Sequence, residues 1–135
     1  LAADKVSDVA ILRAKGAVFR PLPLATANAQ PGSAVWASSH PDHNFFSLTA
    51  GMVSRYFMAN TEVGRTPQMA ITADFGIGSS GGPIFNNRGE VTGMVCSTTS
   101  VYYTDAKERV SDLQMVFKHC VPVASIQALI EKPAE

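Results

Sequence analysis

The sequence predicts an all-β chain that ends in one short helix, and three observations lead there. Short β-prone segments alternate with turn signals such as Pro31-Gly32 and Asn86-Asn87-Arg88-Gly89, the punctuation of antiparallel strands. Helical spacing of apolar residues shows only near the end, over Ser125-Ile126-Gln127-Ala128-Leu129-Ile130. Between those regions, Asp74-Phe75-Gly76-Ile77-Gly78-Ser79-Ser80-Gly81-Gly82-Pro83 holds four glycines in ten residues and runs straight into apolar Ile84-Phe85. Such a run implies special dihedrals or a close backbone approach, because glycine loses backbone entropy on folding.

A chain of 135 residues with 46% apolar content suits one domain with a sizeable core. Eleven Lys and Arg balance eleven Asp and Glu, so nothing points to nucleic acid or an anionic membrane surface. Apolar runs are broken by Gly, Pro or charge, and no membrane segment or signal peptide is expected. Two cysteines, Cys96 and Cys120, are too few for a disulfide scaffold and lack zinc-ligand spacing. The pair could face each other, but free thiols fit a core better.

The glycine-rich stretch has one good chemical use. Ser80 on a tight turn would be a nucleophile, with the Gly78 and Ser80 amides aimed at a developing oxyanion. A plain glycine loop between strands is the bland alternative. Asp8, heading an apolar stretch Val9-Ala10-Ile11-Leu12, supports the chemical reading. A carboxylate there is costly unless paired or hydrogen-bonded, although a strand-entry Asp accepting N–H bonds would also explain it.

Gly78-Ser79-Ser80-Gly81-Gly82-Pro83 resembles the nucleophile motif of chymotrypsin-like serine proteases, and Asp8-Val9-Ala10-Ile11-Leu12 resembles the segment bearing their triad aspartate. The Asp8 to Ser80 spacing and the tail look most like bacterial HtrA-type catalytic domains. The resemblance implies a double Greek-key β-barrel fold, with the second barrel complete and the first only partly present. Residues 1–24 would be the first-barrel remnant and linker, and 25–135 the second barrel and terminal helix. The chain looks like the C-terminal two-thirds of such a domain. The implied partners are a peptide or protein substrate and the N-terminal part of the same domain, which would supply the histidine. No cofactor or metal is implied, and the location would be periplasmic or secreted. The rival reading is a non-catalytic, protease-like binding module.

The elements follow in order. Val6 to Leu12 reads as a strand, and the proline-rich Phe19 to Leu24 as extended chain. Ala34 to Ala37 is a short strand. His40, Asp42 and His43 sit too close together in a polar loop for an easy metal site. Phe45 to Tyr56 is β-prone, with a bend or bulge expected near Gly51. Ala59 to Thr66 is a polar connection, and Pro67 to Ala73 the strand entering the site. Asn86 to Glu90 is a hairpin turn and Val91 to Cys96 its return strand. Thr99 to Asp112 reads as a polar excursion, Gln114 to Val123 as the closing strand, and Val123 to Lys132 as a helix capped by Ser125 or a neighbour.

In the family likeness, Cys96, Ser97 and Thr98 resemble the edge that pairs with substrate backbone. Met94 would touch the specificity pocket or simply pack in the core. Asp74 lies where trypsins carry a pocket-floor aspartate, which would select Lys or Arg. It could equally brace the Gly76–Gly78 turn, with Met94 or Val95 making the pocket apolar. Ser79 stands where digestive trypsins have an aspartate that pairs with a freed N-terminus, so the site would be ordered by loops.

Overall fold

The computed structural model describes residues 1–16, 18–105 and 109–131. Strands β1 (Ala2–Asp4) and β2 (Val9–Ile11) pair antiparallel with each other. Six further strands follow: β3 (Ala34–Ser39), β4 (Ser47–Thr61), β5 (Gly64–Ile71), β6 (Pro83–Phe85), β7 (Val91–Thr104) and β8 (Val110–Pro122). Helix α1 (Val123–Glu131) ends the described chain. Among the described residues, no helix is long and apolar enough to cross a membrane.

The expected double barrel is not what forms. The six later strands run in the order β3-β4-β5-β8-β7-β6, a Greek-key-like jump from β5 to β8, in a single closed ring. Closure rests on only two residue pairs between β3 and β6, Trp36 with Phe85 and Ala37 with Ile84. Strands β1 and β2 make a separate two-stranded sheet and no barrel. The reason lies in the first part of the chain. It offers two three-residue strands, and the stretch that follows carries Pro21, Pro23 and Pro31, which cannot donate to a ladder. That stretch touches the ring as extended chain, through a bridge between Leu24 and Val91 and a hydrogen bond from Tyr56 to Ala29 O.

The ring forms because its inward positions are apolar. In β3, Val35, Ala37 and Ser39 are buried on alternate residues, the period of a strand with one covered face. Val35 and Ala37 meet Val53, Met69, Ile71, Ala73, Phe75, Ile84, Val95 and Cys120 in one core. Strand β5 departs from alternation, since Thr66 and Gln68 are buried as well. The hairpin covers that second face, and Thr66 Oγ1 donates to Ser7 Oγ at 3.2 Å. Tyr56 donates its hydroxyl to Ala29 O at 2.7 Å, and burial, then Cys120, push its phenol up to about 12.

A hairpin this short has no stability of its own. It is seated by a second cluster in which Val9 packs with Val121 and Leu129, flanked by Ala2, Ile11, Met94, Cys96 and Ile126. Burying a side chain such as Val9 or Leu129 contributes roughly 1.5–3 kcal/mol, more than a single exposed backbone hydrogen bond supplies. Helix α1 completes the seat. Its Ala124 N–H is capped by Asn28 Oδ1 at 3.1 Å and Gln127 reaches Ala25 O at 2.8 Å, so a distant loop supplies the cap expected from Ser125.

Other elements differ from the sequence reading. The strand expected over Val6 to Leu12 shortens to Val9–Ile11, and Asp8 is the last residue of the preceding turn, at φ 55°. The connection at Ala59 to Thr66 is a tight turn, because β4 runs to Thr61 and β5 starts at Gly64. The excursion from Thr99 to Asp112 is instead the continuation of β7 and β8 as a two-stranded ribbon. Its residues 106–108 lie outside the described chain, as does Lys132 beyond α1. The bulge near Gly51 falls between Val53 and Arg55.

Gly51 serves a close approach instead, since a Cβ there would sit 2.1 Å from Ala73 N. That backbone leads directly into the Asp74–Pro83 loop. Gly51→Ala should therefore destabilise the fold by about 1–3 kcal/mol or more, as overpacking does. Urea denaturation checks this as a lowered midpoint at unchanged slope. A midpoint equal to that of the unchanged chain would contradict the packing described.

Candidate active site

The Asp74–Pro83 stretch folds as two nested turns. Ser79 N–H donates to Gly76 O at 3.1 Å, and Gly82 N–H donates to Ser79 O at 2.9 Å. Ser79 is buried, and its Oγ accepts the Gly76 N–H at 3.4 Å. Strand β7 pins the far side, with Gly81 N–H donating to Val95 O at 2.9 Å and Val95 N–H to Gly82 O at 2.8 Å. Between these anchors Ser80 is exposed. Among the described residues, no backbone acceptor takes the amides of Gly78 or Ser80.

Gly78 needs to be glycine. Its φ is +88°, and a Cβ would lie 3.0 Å from His40 O. The neighbouring loop is strained in turn: Asp42, His43 and Phe46 all have positive φ, at 44°, 62° and 62°. Such residues cost about 1–3 kcal/mol each and persist only where the surroundings hold them. The 3-10 turn Pro41–His43 and the hydrogen bonds of Asn44 Nδ2 to Pro41 O and Asp42 O supply local support. Nothing in these residue types marks the strain in advance, since none is glycine.

Asp8 and Ser80 meet through Cys96. Ser80 Oγ donates to Cys96 O at 3.2 Å. The Cys96 thiol in turn reaches Asp8 Oδ2 across 4.0 Å, a long and weak hydrogen bond spanning 88 sequence positions. A register shift in β7 between Val95 and Ser97 leaves Cys96 out of the ladder with β8, free to face the hairpin. Burial pushes the Cys96 thiol up, and the Asp8 charge adds to that, against hydrogen bonds from Ser97 and Gln68. Gln68 Oε1 is buried with no partner of its own.

Beside Ser80 lies a cleft of ≈ 310 Å³ lined by Phe75, Gly76, Ile77, Val95, Cys96, Ser97 and Thr98. Cys96, Ser97 and Thr98 thus share one cleft with Ser80. Met94 packs instead in the cluster under the hairpin. Asp74 lies in a different cleft, with Ser54, Thr72, Met115 and Phe117. Its carboxylate pairs with Lys118 Nζ at 2.7 Å, and the same ammonium donates to Phe75 O. With the Asp74 side chain 78% exposed, that pair adds at most about 1 kcal/mol.

None of the three histidines lines the cleft beside Ser80. His40 Nδ1 accepts the Phe46 N–H at 2.8 Å. His43, with His40, Asp42, Phe45, Ile77 and Gly78, lines a cleft on the far side of the Gly78 turn. His119 packs against Phe57 and Phe117, its imidazole held below its ordinary value by burial and then by Arg55. Among the described residues, no group of three or more His, Cys, Asp or Glu could hold a metal ion.

Both cysteines are free. Cys120 is fully buried in the core, where burial pushes its thiol far up, while Cys96 faces the cleft. A thiol reagent should modify Cys96 slowly in the folded protein and Cys120 only after denaturation. Peptide mapping after brief alkylation checks this, and a Cys96–Cys120 disulfide or equal labelling would contradict it.

Comparison with known proteins agrees with this architecture. The structure superimposes on the active form of the Rv3671c protease from M. tuberculosis with a TM-score of 0.69 at 22% identity, covering 99% of this chain and 60% of that one. For an inactive form of the same protease the TM-score is 0.70 at 20% identity, covering 96% and 62%. The MamO protease domain from Magnetospirillum magneticum gives 0.54 at 17% identity, covering 78% and 51%. At these identities the likeness is one of fold, and the chain spans about three-fifths of the length of the Rv3671c structures. No curated protein sequence matches. Residues 1–94, which include Asp8 and Ser80, match the description of the trypsin-like peptidase domain, and the chain belongs to that family.

Proposed function

We propose that this chain carries the nucleophile, the oxyanion donors and the orienting carboxylate of a serine endopeptidase. The observation that carries the reading is the junction at Cys96, which brings Asp8 and the Ser80 hydroxyl to one strand position from opposite ends of the motif pattern. Ser80 Oγ would bond to the carbonyl carbon of the scissile peptide and lose its proton to an imidazole. That proton passes to the leaving amine, and water then hydrolyses the acyl-serine. Asp8 would hold the imidazole in the required tautomer, and the unoccupied amides of Gly78 and Ser80 would take up the oxyanion charge. The imidazole is assigned to a part of the protease domain outside these residues, because none of His40, His43 and His119 lines the cleft beside Ser80.

Within the family, we place the chain with the HtrA-type enzymes. The buried Ser79, braced on the Gly76 amide, supports a site ordered by its loops. The cleft beside Ser80 supports selection of small or medium apolar side chains at the cleaved position. Phe75, Ile77 and Val95 line it, and Asp74, turned to Lys118, does not.

One observation favours a non-catalytic, peptide-binding reading instead. The Ser80 hydroxyl is donated to a backbone carbonyl, and attack requires it to turn away. Kinetics separate the two. In the complete protease, Ser80→Ala should lower peptide hydrolysis by about 10⁶-fold and Asp8→Asn by about 10⁴-fold. Full activity in Ser80→Ala would overturn the assignment, and absence of hydrolysis in the unchanged protein would leave the binding reading.

Specificity gives a second test. Cleavage of a peptide library should show Val or Ala at the cleaved position, and Asp74→Asn should leave that preference unchanged. A Lys or Arg preference lost in Asp74→Asn would overturn the apolar pocket.

A further inference from the structure

The loop between β3 and β4 and the Gly78 turn are joined by one backbone hydrogen bond, from Asp42 N–H to Ile77 O at 2.8 Å. Among the described residues there is no cis peptide bond, so in the Ile77–Gly78 peptide the C=O and the N–H point in opposite directions. Fixing the Ile77 carbonyl on the loop therefore fixes the Gly78 amide facing away from it. The alternative orientation would turn the carbonyl to where the amide now points, and an acceptor there repels an oxyanion. The left-handed Gly78, having no Cβ, puts little resistance of its own in the way of such a flip.

The restraint must come from the loop, and the loop is itself strained at Asp42, His43 and Phe46. Its closure depends on a side chain. Phe46 N–H donates to His40 Nδ1 at 2.8 Å, joining the two ends of the strained segment. The rings of Phe45 and Phe46 flank the imidazole at 5.6 and 5.2 Å, which fixes its plane. An unpaired Phe46 amide at a left-handed residue would leave the segment free to relax toward ordinary dihedrals, carrying Asp42 N–H off Ile77.

We infer that His40 is a positioning residue for the oxyanion site: by accepting the Phe46 amide it closes the 40–46 loop, which clamps the Ile77–Gly78 peptide with the Gly78 N–H available. The inference rests on the proposed role of the Gly78 amide. His40 touches no reacting atom, and its contribution is to the transition state and not to substrate binding, because the clamp acts on the amide alone. Asparagine at position 40 offers an acceptor at the reach of Nδ1, whereas alanine offers none.

The complete protease carrying His40→Ala or His40→Asn tests this with two readouts. In His40→Ala, kcat for peptide hydrolysis should fall at least tenfold with KM within twofold, as expected for an interaction made in the transition state. Hydrogen exchange at the Asp42 and Phe46 amides should quicken at least tenfold, and exchange at Val95 in β7 should not change. His40→Asn should restore both kcat and protection. Exchange unchanged in His40→Ala would overturn the clamp. Exchange quickened with kcat unchanged would overturn its role in positioning Gly78. If the alanine variant does not fold, failure of His40→Asn to keep both properties overturns the inference. Activity that survives Ser80→Ala would fail the functional reading separately, and the exchange measurement would still decide the clamp.

Discussion

The seating of one short hairpin on the ring decides whether Asp8 comes near Ser80. Val9, packed with Val121 and Leu129, holds β2 against β8 and α1. The turn that precedes Val9 then has one place to go, and Asp8 is its last residue. Besides that apolar contact, the turn is tied to the ring by the Thr66 to Ser7 hydrogen bond and by the weak bond from the Cys96 thiol to the carboxylate. The helix matters to the site for the same reason. Its cap on Asn28 and its contact with Ala25 tie the far end of the chain to the linker, so the seat is closed from both sides.

Around Ser80 the structure depends on backbone held by other backbone. The nested turns, the anchor to β7 and the clamp from the β3–β4 loop each fix one peptide unit. Few side chains take part, and Ser79 and His40 do so by accepting amide protons. This would suit the proposed site, whose working parts include amides. Their direction cannot be set by rotamers and must be set by the chain around them.

The strand segments were partly legible because their information is local. Strand periodicity and the turn at Asn86 to Glu90 mark the centres of the later strands, although β4, β5, β7 and β8 run past the bounds the pattern shows, and the glycine spacing around Ser80 marks the loop. The first part was misread because a barrel is a property of many strands. The sequence marks one strand over Val6 to Leu12 and extended, proline-rich chain after it, whereas Ala2–Asp4 pairs with Val9–Ile11 as a hairpin. Asp8 read as a strand residue since Val9 to Leu12 is apolar, yet its left-handed φ puts it in the turn. The meeting of Asp8, Cys96 and Ser80 depends on a register shift in β7 that no residue pattern announces. Asp74 misleads in a similar way. Its position invites a pocket role, and Lys118, reached only through pairing of β5 with β8, draws it elsewhere. The left-handed Asp42, His43 and Phe46 rest on hydrogen bonds within residues 40–46 and on one from Asp42 N–H to Ile77 O, which no residue pattern announces.

The central claim is that the Gly78 and Ser80 amides and the apolar cleft serve a nucleophilic Ser80. A crystal structure of the complete protease with a peptide boronate ending in valine tests it most directly. The account predicts a bond from boron to Ser80 Oγ, with one boronate oxygen within 2.7–3.1 Å of both amides, the usual oxyanion range. The valine side chain should lie between Phe75, Ile77 and Val95, and the Asp42 to Ile77 hydrogen bond should be intact. A boronate bound to another residue, or an Ile77 carbonyl turned toward the boron, would contradict it.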